Sequence, residues 1–356
     1  MRKFRFHPCG NYKERYEEEL AIFSTDFGRF WMLVGLFCLF VVIPSVSSPY
    51  VLYVVNQIGI AAIGAIGLNL LIGYTGQISL GHGAFFGVGA YSAAILATAA
   101  GFPFWIAILC SGVITALVGA VFGLPSVRLK HLYLTIATLA GQFILQYLFV
   151  SWEGLTKGPE GIMLPRATLL GIDIKGDRIF YFVIFFSFVV LTWIAVNLLR
   201  TQYGRAFVAI RDNDRAAEGM GIPIFKYKLL SFAISSFYAG FAGGLSAYYI
   251  GSITPEPYTL LLSIEFIAMI IIGGLGSIPG SVFGAIFITL LNEILSHATG
   301  FFMNIPALSK IALTIAPLRE FIFGLAIVFF IIFEPKGLAE VWRIIRSSFR
   351  LWPFSY

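Results

Sequence analysis

The sequence predicts an all-α, polytopic membrane protein with about ten transmembrane helices and both termini on the cytoplasmic side. Hydrophobic residues make up 58% of the 356 residues and charged residues 12%, whereas a soluble domain carries about 25% charged residues. The 98 residues from Phe30 to Val127 include no Asp, Glu, Lys or Arg, and about 20 apolar residues suffice for one membrane crossing. One soluble domain of this size could not bury such a stretch.

Ten apolar segments account for the predicted helices. They are approximately residues 30–47, 51–72, 83–100, 104–124, 132–151, 179–199, 229–250, 260–276, 279–296 and 319–333. The last segment is the shortest, because only 13 uncharged residues separate Glu320 from Glu334. A helix of that length spans about 20 Å, so its ends must snorkel or the bilayer must thin there.

The orientation follows from the distribution of basic residues. With ten spans and the N-terminus inside, the inside segments hold 18 of the 24 Lys and Arg residues, the bias that the positive-inside rule expects. The chain then divides into a cytoplasmic N-terminal extension (1–29), a membrane domain (30–338) and a cytoplasmic tail (339–356). The extension is too long and acidic for a signal peptide, so we expect the first span to be retained.

Several function classes lack support in the residues. The net charge of +6 serves topology, and no basic stripe with interleaved aromatics indicates nucleic-acid binding. The three cysteines form no CxxC and the four histidines no HExxH, so neither a metal site nor a catalytic site is predicted. No Gly-Lys dipeptide occurs, so the chain has no P-loop. If ATP drives its activity, the nucleotide binds to another polypeptide.

A glycine-rich stretch at residues 73–91 does not suit a lipid-facing helix. It contains six glycines together with Gln77, Ser79 and His82. Irregular backbone at membrane depth is tolerated only where it lines a cavity or is buried in protein. The stretch is therefore either a broken helix beside a translocation path or an ordinary cytoplasmic turn followed by a tightly packed helix.

The candidate residues of such a path are Gly76, Gln77, Ser79, His82 and Glu265. Glu265 is the only acidic residue well inside a span, and a charge there costs on the order of 3 kcal/mol unless it faces a partner or water. It could line the path or make an interhelical hydrogen bond. A lone His82 is more often a packing residue than a proton relay.

Residues 200–228, which we call the connector, carry the other functional signal. From Arg205 to Glu218 the apolar residues recur at helical spacing, and Gly219, Gly221 and Pro223 then end the pattern. The sequence favours one short, charged helix that binds another protein over a solvated connecting loop. The candidate docking residues are Arg205, Arg211, Asp212, Asp214, Arg215, Glu218 and Gly221.

A seven-residue pattern, IGxxGxI, occurs at residues 72–78 and again at 272–278. Both copies lie between two predicted spans. Transporters are often built from internal repeats, so the pattern suggests a repeat, although so short a match also arises by chance.

Three long segments resemble the permease subunits of branched-chain amino acid ABC importers, specifically the LivM type. They are NLLIGYTGQISLGHGAFFGVGAY, GRAFVAIRDNDRAAEGMGIPIFKYKLLSFAISSFYAGFAGGLSA and LLSIEFIAMIIIGGLGSIPGSVFGAI. The resemblance runs in consistent order from about Gln57 to Leu338, and residues 1–28 lie outside it.

The resemblance implies a prokaryotic inner-membrane importer that works by alternating access and has no cofactor in this chain. A LivH-like second permease completes the pathway, two cytoplasmic ATPases bind ATP, and an external binding protein delivers the substrate. The segment that matches Arg205–Gly221 is then the element docked on an ATPase. Sister families with similar motifs carry urea or short amides. From the residues alone, an ion-coupled secondary transporter that uses His82 and Glu265 is the competing hypothesis, and an intramembrane enzyme is a weaker one.

Overall fold

The computed structural model describes residues 26–124, 132–169, 172–173, 176–303, 321–325, 327–330, 332–333 and 337–351. The predictions for the N-terminal extension and for part of the last span therefore fall largely outside the described residues.

The described chain is almost entirely helical, as the apolar runs predict. The helices are α1 (Asp26–Phe37), α2 (Ile43–Val46), α3 (Pro49–Thr75), α4 (His82–Thr98), α5 (Phe104–Gly123), α6 (Leu132–Ser151), α7 (Glu153–Thr156), α8 (Asp177–Arg200), α9 (Gln202–Asp212), α10 (Asp214–Gly219), α11 (Ile224–Ile250), α12 (Leu260–Gly273), α13 (Ile278–Met303) and α14 (Leu338–Leu351). A π-helical turn, Cys38–Val42, joins α1 to α2.

Six of these helices are long and apolar enough to cross a membrane: α3, α5, α6, α8, α11 and α13. Shorter apolar helices cover Phe30–Val46, Leu260–Gly273 and Phe321–Phe330, and α4 has 17 residues. Each of the ten predicted spans therefore coincides at least in part with a helix, but length and composition alone support six crossings.

The centre of the bundle is α11, which packs against α3, α4 and α5. Small residues allow the close approach: a Cβ atom at Gly89 of α4 would lie 2.2 Å from the Gly240 carbonyl oxygen of α11. The outer helices present large apolar side chains such as Leu117, Tyr147 and Trp193, each more than half exposed. Because lipid tails solvate such side chains, the outer surface is suited to a bilayer.

Two short antiparallel strand pairs complete the described chain. Strand β1 (Ile162–Met163) pairs with β4 (Ser252–Ile253), and β2 (Thr168–Leu169) pairs with β3 (Ile172–Asp173). Since β4 directly follows α11, the first pair ties the segment after α6 to the end of the central helix that is opposite the connector.

The connector departs from its predicted form. The single helix expected from Arg205 to Glu218 is wrong, because the chain forms α9 and α10 with Asn213 in an extended conformation between them. The Asn213 Oδ1 atom accepts hydrogen bonds from the backbone N–H groups of Arg215 and Ala216. This side chain therefore starts a new helix, as an N-cap asparagine commonly does.

The two IGxxGxI copies have corresponding geometry. The first copy covers the end of α3, and the second copy covers the end of α12. The second glycine of each copy has a left-handed backbone conformation, with φ of +68° at Gly76 and +73° at Gly276. The copies also meet, since a Cβ atom at Gly73 would lie 2.4 Å from the Gly276 nitrogen. Asn69, three residues before the first copy, donates to the Ser277 carbonyl at 2.9 Å and accepts from the Gly276 N–H at 2.9 Å. This correspondence supports the internal repeat that the short pattern suggested.

Candidate functional site

The helix break at residues 76–81 lies deep in the bundle. After α3 ends at Thr75, no helix forms until His82, whose Nε2 atom lies 3.0 Å from the Gly64 carbonyl oxygen. Gly64 is 11 residues before Thr75, or about 16 Å along α3. The chain therefore returns into the bundle before α4 begins, which is the geometry of a broken helix and not of a turn at the end of two spans.

The side chains along the break alternate between buried and exposed positions, as in extended chain. Gln77 and Ser79 are buried, whereas Gly76 and Ile78 are exposed. Gln77 Nε2 donates to the Ser231 hydroxyl of α11 at 2.7 Å, and Ser79 Oγ accepts from the Gly81 N–H. Two of the predicted path residues thus hold the break in place.

Polar side chains from other helices satisfy the buried start of α4. The Gly83 N–H donates to Ser263 Oγ and the Ala84 N–H donates to Gln142 Oε1, both at 2.8 Å. Gln142 Nε2 in turn donates to the Tyr258 carbonyl at 3.0 Å. The first N–H groups of a helix have no partner within the helix, so Gln142 and Ser263 allow α4 to begin inside the bundle. Neither residue was among the predicted site residues, and the only signal for each was a polar side chain within an apolar span.

His82 and Glu265 have different partners. The His82 ring packs edge-on against Phe266, with ring centroids 5.0 Å apart, and its Nε2 atom bonds to Gly64. Glu265 accepts from Asn292 Nδ2 of α13 at 3.4 Å. Among the residues that the structure describes, no group of three His, Cys, Asp or Glu side chains could hold a metal ion. The described contacts of His82 are thus with α3 and α12, and that of Glu265 is with α13.

One face of α9 packs into the bundle. Its Phe207 side chain is completely buried, and Ala206 and Ile210 are nearly so; the helix contacts α3, α8 and α11. On the outside, Arg205, Asp212, Arg215, Glu218 and Gly221 are exposed. We call these five residues the docking face. The other two predicted docking residues, Arg211 and Asp214, bond to groups of the bundle helices α3 and α11.

Arg211 links α9 to both glycine motifs. Its Nη1 atom donates to the Gly73 carbonyl at 3.0 Å, and its guanidinium pairs with Asp212 at 3.0 Å. A Cβ atom at Gly276 would lie 3.3 Å from the same Nη1 atom. A single side chain thus touches the end of α3 and the loop between α12 and α13.

Asp214 links α10 to the central helix. Its carboxylate lies 2.7 Å from Lys228 Nζ of α11, and the two side chains are 24% and 9% exposed. Because Lys228 is nearly buried, removing Asp214 would leave an uncompensated charge inside the bundle. Lys228 and Gln77 are also neighbours, since the Gln77 amide lies 3.5 Å from the Lys228 carbonyl.

Some members of the two predicted groups of site residues meet at one cavity of about 290 Å³. The others, Ser79, His82, Glu265, Arg205, Glu218 and Gly221, do not line it. Its walls include Gly76 and Gln77 from the helix break, and Lys228 from α11. The connector contributes Ile210, Arg211, Asp212, Asn213, Asp214 and Arg215. Gln77 Oε1 is buried and accepts no hydrogen bond within the described part of the chain. The connector and the helix break therefore form one physical unit, which the sequence did not reveal.

A membrane bundle with a charged connector joined to a broken helix fits a transport permease. The family described as "Branched-chain amino acid transport system / permease component" matches residues 50–331, and the chain belongs to it. It is thus a multi-pass membrane permease of the ABC importer class and not an enzyme.

Relatives within this family carry different names. The chain is 32% identical over 287 residues to the high-affinity branched-chain amino acid transport system permease protein LivM of Escherichia coli K12, covering 74% of this chain and 68% of the relative. It is 26% identical to a probable LivM of Methanocaldococcus jannaschii, over 65% and 67% of the two chains. It is also 25% identical to the autoinducer 2 import system permease protein LsrC of Salmonella typhi, over 89% and 88%. No solved structure matches the chain significantly.

Proposed function

We propose that this chain is one permease subunit of an ABC importer that moves branched-chain or related hydrophobic amino acids inward. The observation that carries the proposal is the 32% identity to LivM over 74% of the chain. The family span of residues 50–331 includes the connector and both glycine motifs. Separate ATPase subunits supply the energy, so this chain needs no cofactor of its own.

The complete importer contains a LivH-like second permease, two cytoplasmic ATPases and an extracytoplasmic binding protein. In the bilayer this subunit has ten spans within residues 30–338, with both termini cytoplasmic. The distribution of basic residues supports this orientation. The connector then faces the cytoplasm, and the β1–β4 pair faces the binding protein on the opposite side.

Coupling divides between two sets of connector residues. The docking face contacts an ATPase, whereas Arg211 and Asp214 transmit its movement. Arg211 acts on the two glycine motifs through Gly73 and Gly276, and Asp214 acts on the central helix α11 through Lys228. A driver must act differently on two conformations, and these contacts join the ATPase side to α3, α11 and the loop before α13.

Within the unit formed by the connector and the helix break, the helix break is the part that borders the translocation path. Gly76, Gln77 and Ser79 form its extended chain, and His82 fixes the start of α4 against α3. Gln77 Oε1, which is buried without a donor, gains a partner when the break rearranges. Glu265 borders the path from α12 through its contact with Asn292.

The substrate is tested by reconstituting the chain in liposomes with its neighbouring-gene permease, ATPases and binding protein. We expect ATP-dependent uptake of labelled leucine that unlabelled isoleucine and valine inhibit. Uptake of autoinducer 2, urea or a short amide in place of leucine would reassign the substrate while keeping the ABC mechanism. Gradient-driven uptake by this chain alone would contradict the proposal.

A further inference from the structure

The C-terminal helix α14 has a two-sided sequence. Leu338, Val341, Trp342, Ile345 and Phe349 recur at three- and four-residue intervals and share one stripe of the helical repeat. Beside this apolar stripe, Arg343, Arg346 and Arg350 recur at the same spacing. A helix with an apolar stripe, a Trp and a basic stripe is typical of elements that lie in the membrane interface.

An apolar groove separates α14 from α13. Its volume is about 330 Å³, and all of its lining side chains are apolar: Phe283, Ile286, Phe287, Leu290, Leu338, Val341, Trp342 and Ile345. Trp342 packs toward Phe283 with ring centroids 6.0 Å apart, yet its side chain remains 54% exposed. The groove is therefore formed but only partly covered by the described chain.

The groove lies in the half of α13 that is nearer to the start of that helix. Phe283 to Leu290 occupy residues 6 to 13 of α13, or about 8 to 18 Å from the start of that helix. The start of α13 follows the loop that Arg211 touches. Gly337 anchors α14 at the same end, since a Cβ atom there would lie 2.6 Å from the Gly274 backbone nitrogen.

We propose that the groove holds an acyl chain of an anionic phospholipid whose headgroup binds the arginine stripe of α14. Charge complementarity selects this occupant, because the helical repeat of α14 places three arginines beside the apolar stripe that lines the groove. Arg343 pairs with Glu340 at 2.5 Å but remains 74% exposed, so its guanidinium is accessible to a phosphate as well. Zwitterionic lipid fills the groove without the same headgroup attraction.

The test uses Trp342 as the reporter in the full-length chain. The protein is reconstituted in phosphatidylcholine vesicles into which brominated phosphatidylglycerol or brominated phosphatidylcholine is introduced stepwise. Bromine quenches nearby tryptophan fluorescence, and subtracting the signal of a Trp342→Phe variant isolates the Trp342 contribution. We expect brominated phosphatidylglycerol to bind this site roughly threefold to tenfold more tightly than brominated phosphatidylcholine does.

In the triple variant Arg343→Gln, Arg346→Gln, Arg350→Gln, the ratio of the affinities for the two brominated lipids should fall to about one. The matching triple Lys variant should retain most of the preference for phosphatidylglycerol. Arg178→Gln removes a positive charge at the opposite end of the bundle and is the control. It should leave the affinity ratio of the two lipids unchanged. Equal quenching by both lipids in the unmodified chain would overturn headgroup recognition. Quenching of the other tryptophans but not of Trp342 would overturn lipid occupancy and assign the groove to a protein partner.

Discussion

At the residue scale, close backbone contacts explain why particular glycines occupy the two motifs. A Cβ atom at Gly73 would lie 1.9 Å from Asn69 Oδ1 and 2.4 Å from the Gly276 nitrogen. The Asn69 side chain already bonds to Gly276, Ser277 and Ser281, so it cannot move without loss. Gly73 also provides the carbonyl that Arg211 binds, which makes this contact the meeting point of both motifs and the connector.

Gly73→Ala is therefore expected to lower the stability of the protein by about 1 to 3 kcal/mol, the usual cost of inserting a methyl group into a packed site. The measurement is the thermal unfolding midpoint in detergent. Gly35→Ala is the matched control, because nothing lies within 4 Å of a Cβ atom at that helical position. Equal midpoints for the two variants would show that the motifs do not pack as described.

At the element scale, the bundle depends on a helix that begins inside it. Helix α4 and the break together run back along α3, whose 27 residues span about 40 Å. The cluster of glycines and polar side chains left two alternatives open in the sequence, a broken helix or an ordinary turn. The sequence could not predict Gln142 and Ser263 as the residues that cap α4, since a polar residue in a span does not reveal which neighbouring helix it faces.

Gln142→Leu should destabilise the protein, because the Ala84 N–H and the Tyr258 carbonyl would lose their partners. Each buried unsatisfied group costs about 1 to 3 kcal/mol. Gln146→Leu, one turn further along the same helix and only partly buried, should have little effect. Thermal unfolding of both variants measures the difference, and a larger loss for Gln146→Leu would refute the capping role of Gln142.

In the connector too, the sequence pattern predicts some features, whereas tertiary packing determines others. Its helical spacing and terminating glycines were readable from the sequence. The interruption at Asn213 was not, because the apolar spacing continues across it and only the side-chain cap shows the break. The bonds of Arg211 and Asp214 to the bundle helices also depend on tertiary packing, so the sequence could not separate these two residues from the other five.

At the scale of the whole molecule, the apolar exterior and the family membership agree on a membrane permease. The long apolar runs made the helices predictable, and the quoted segments made the family predictable. The sequence did not predict that α11 lies at the centre, or that the connector and the helix break share a cavity. Both features arise from contacts between residues that are far apart in the sequence.

The proposed orientation predicts opposite accessibility for two exposed methionines. Met163 in β1 and Met220 after α10 are both 83% exposed. In a variant without the natural cysteines, Met163→Cys should react with a membrane-impermeant maleimide on intact cells. Met220→Cys should react only after the cells are permeabilised. The reverse pattern would contradict cytoplasmic placement of the connector.

The coupling role of the connector is tested most directly by measuring ATP hydrolysis and substrate uptake in the same proteoliposomes. We predict that Arg211→Ala retains the ATPases and their hydrolysis but lowers uptake per ATP by about tenfold, the effect of losing roughly 1.4 kcal/mol of coupling. The docking-face variant Arg215→Ala, Glu218→Ala should instead lose the ATPases from the purified complex. An unchanged ratio of uptake to hydrolysis in Arg211→Ala would contradict transmission through this side chain.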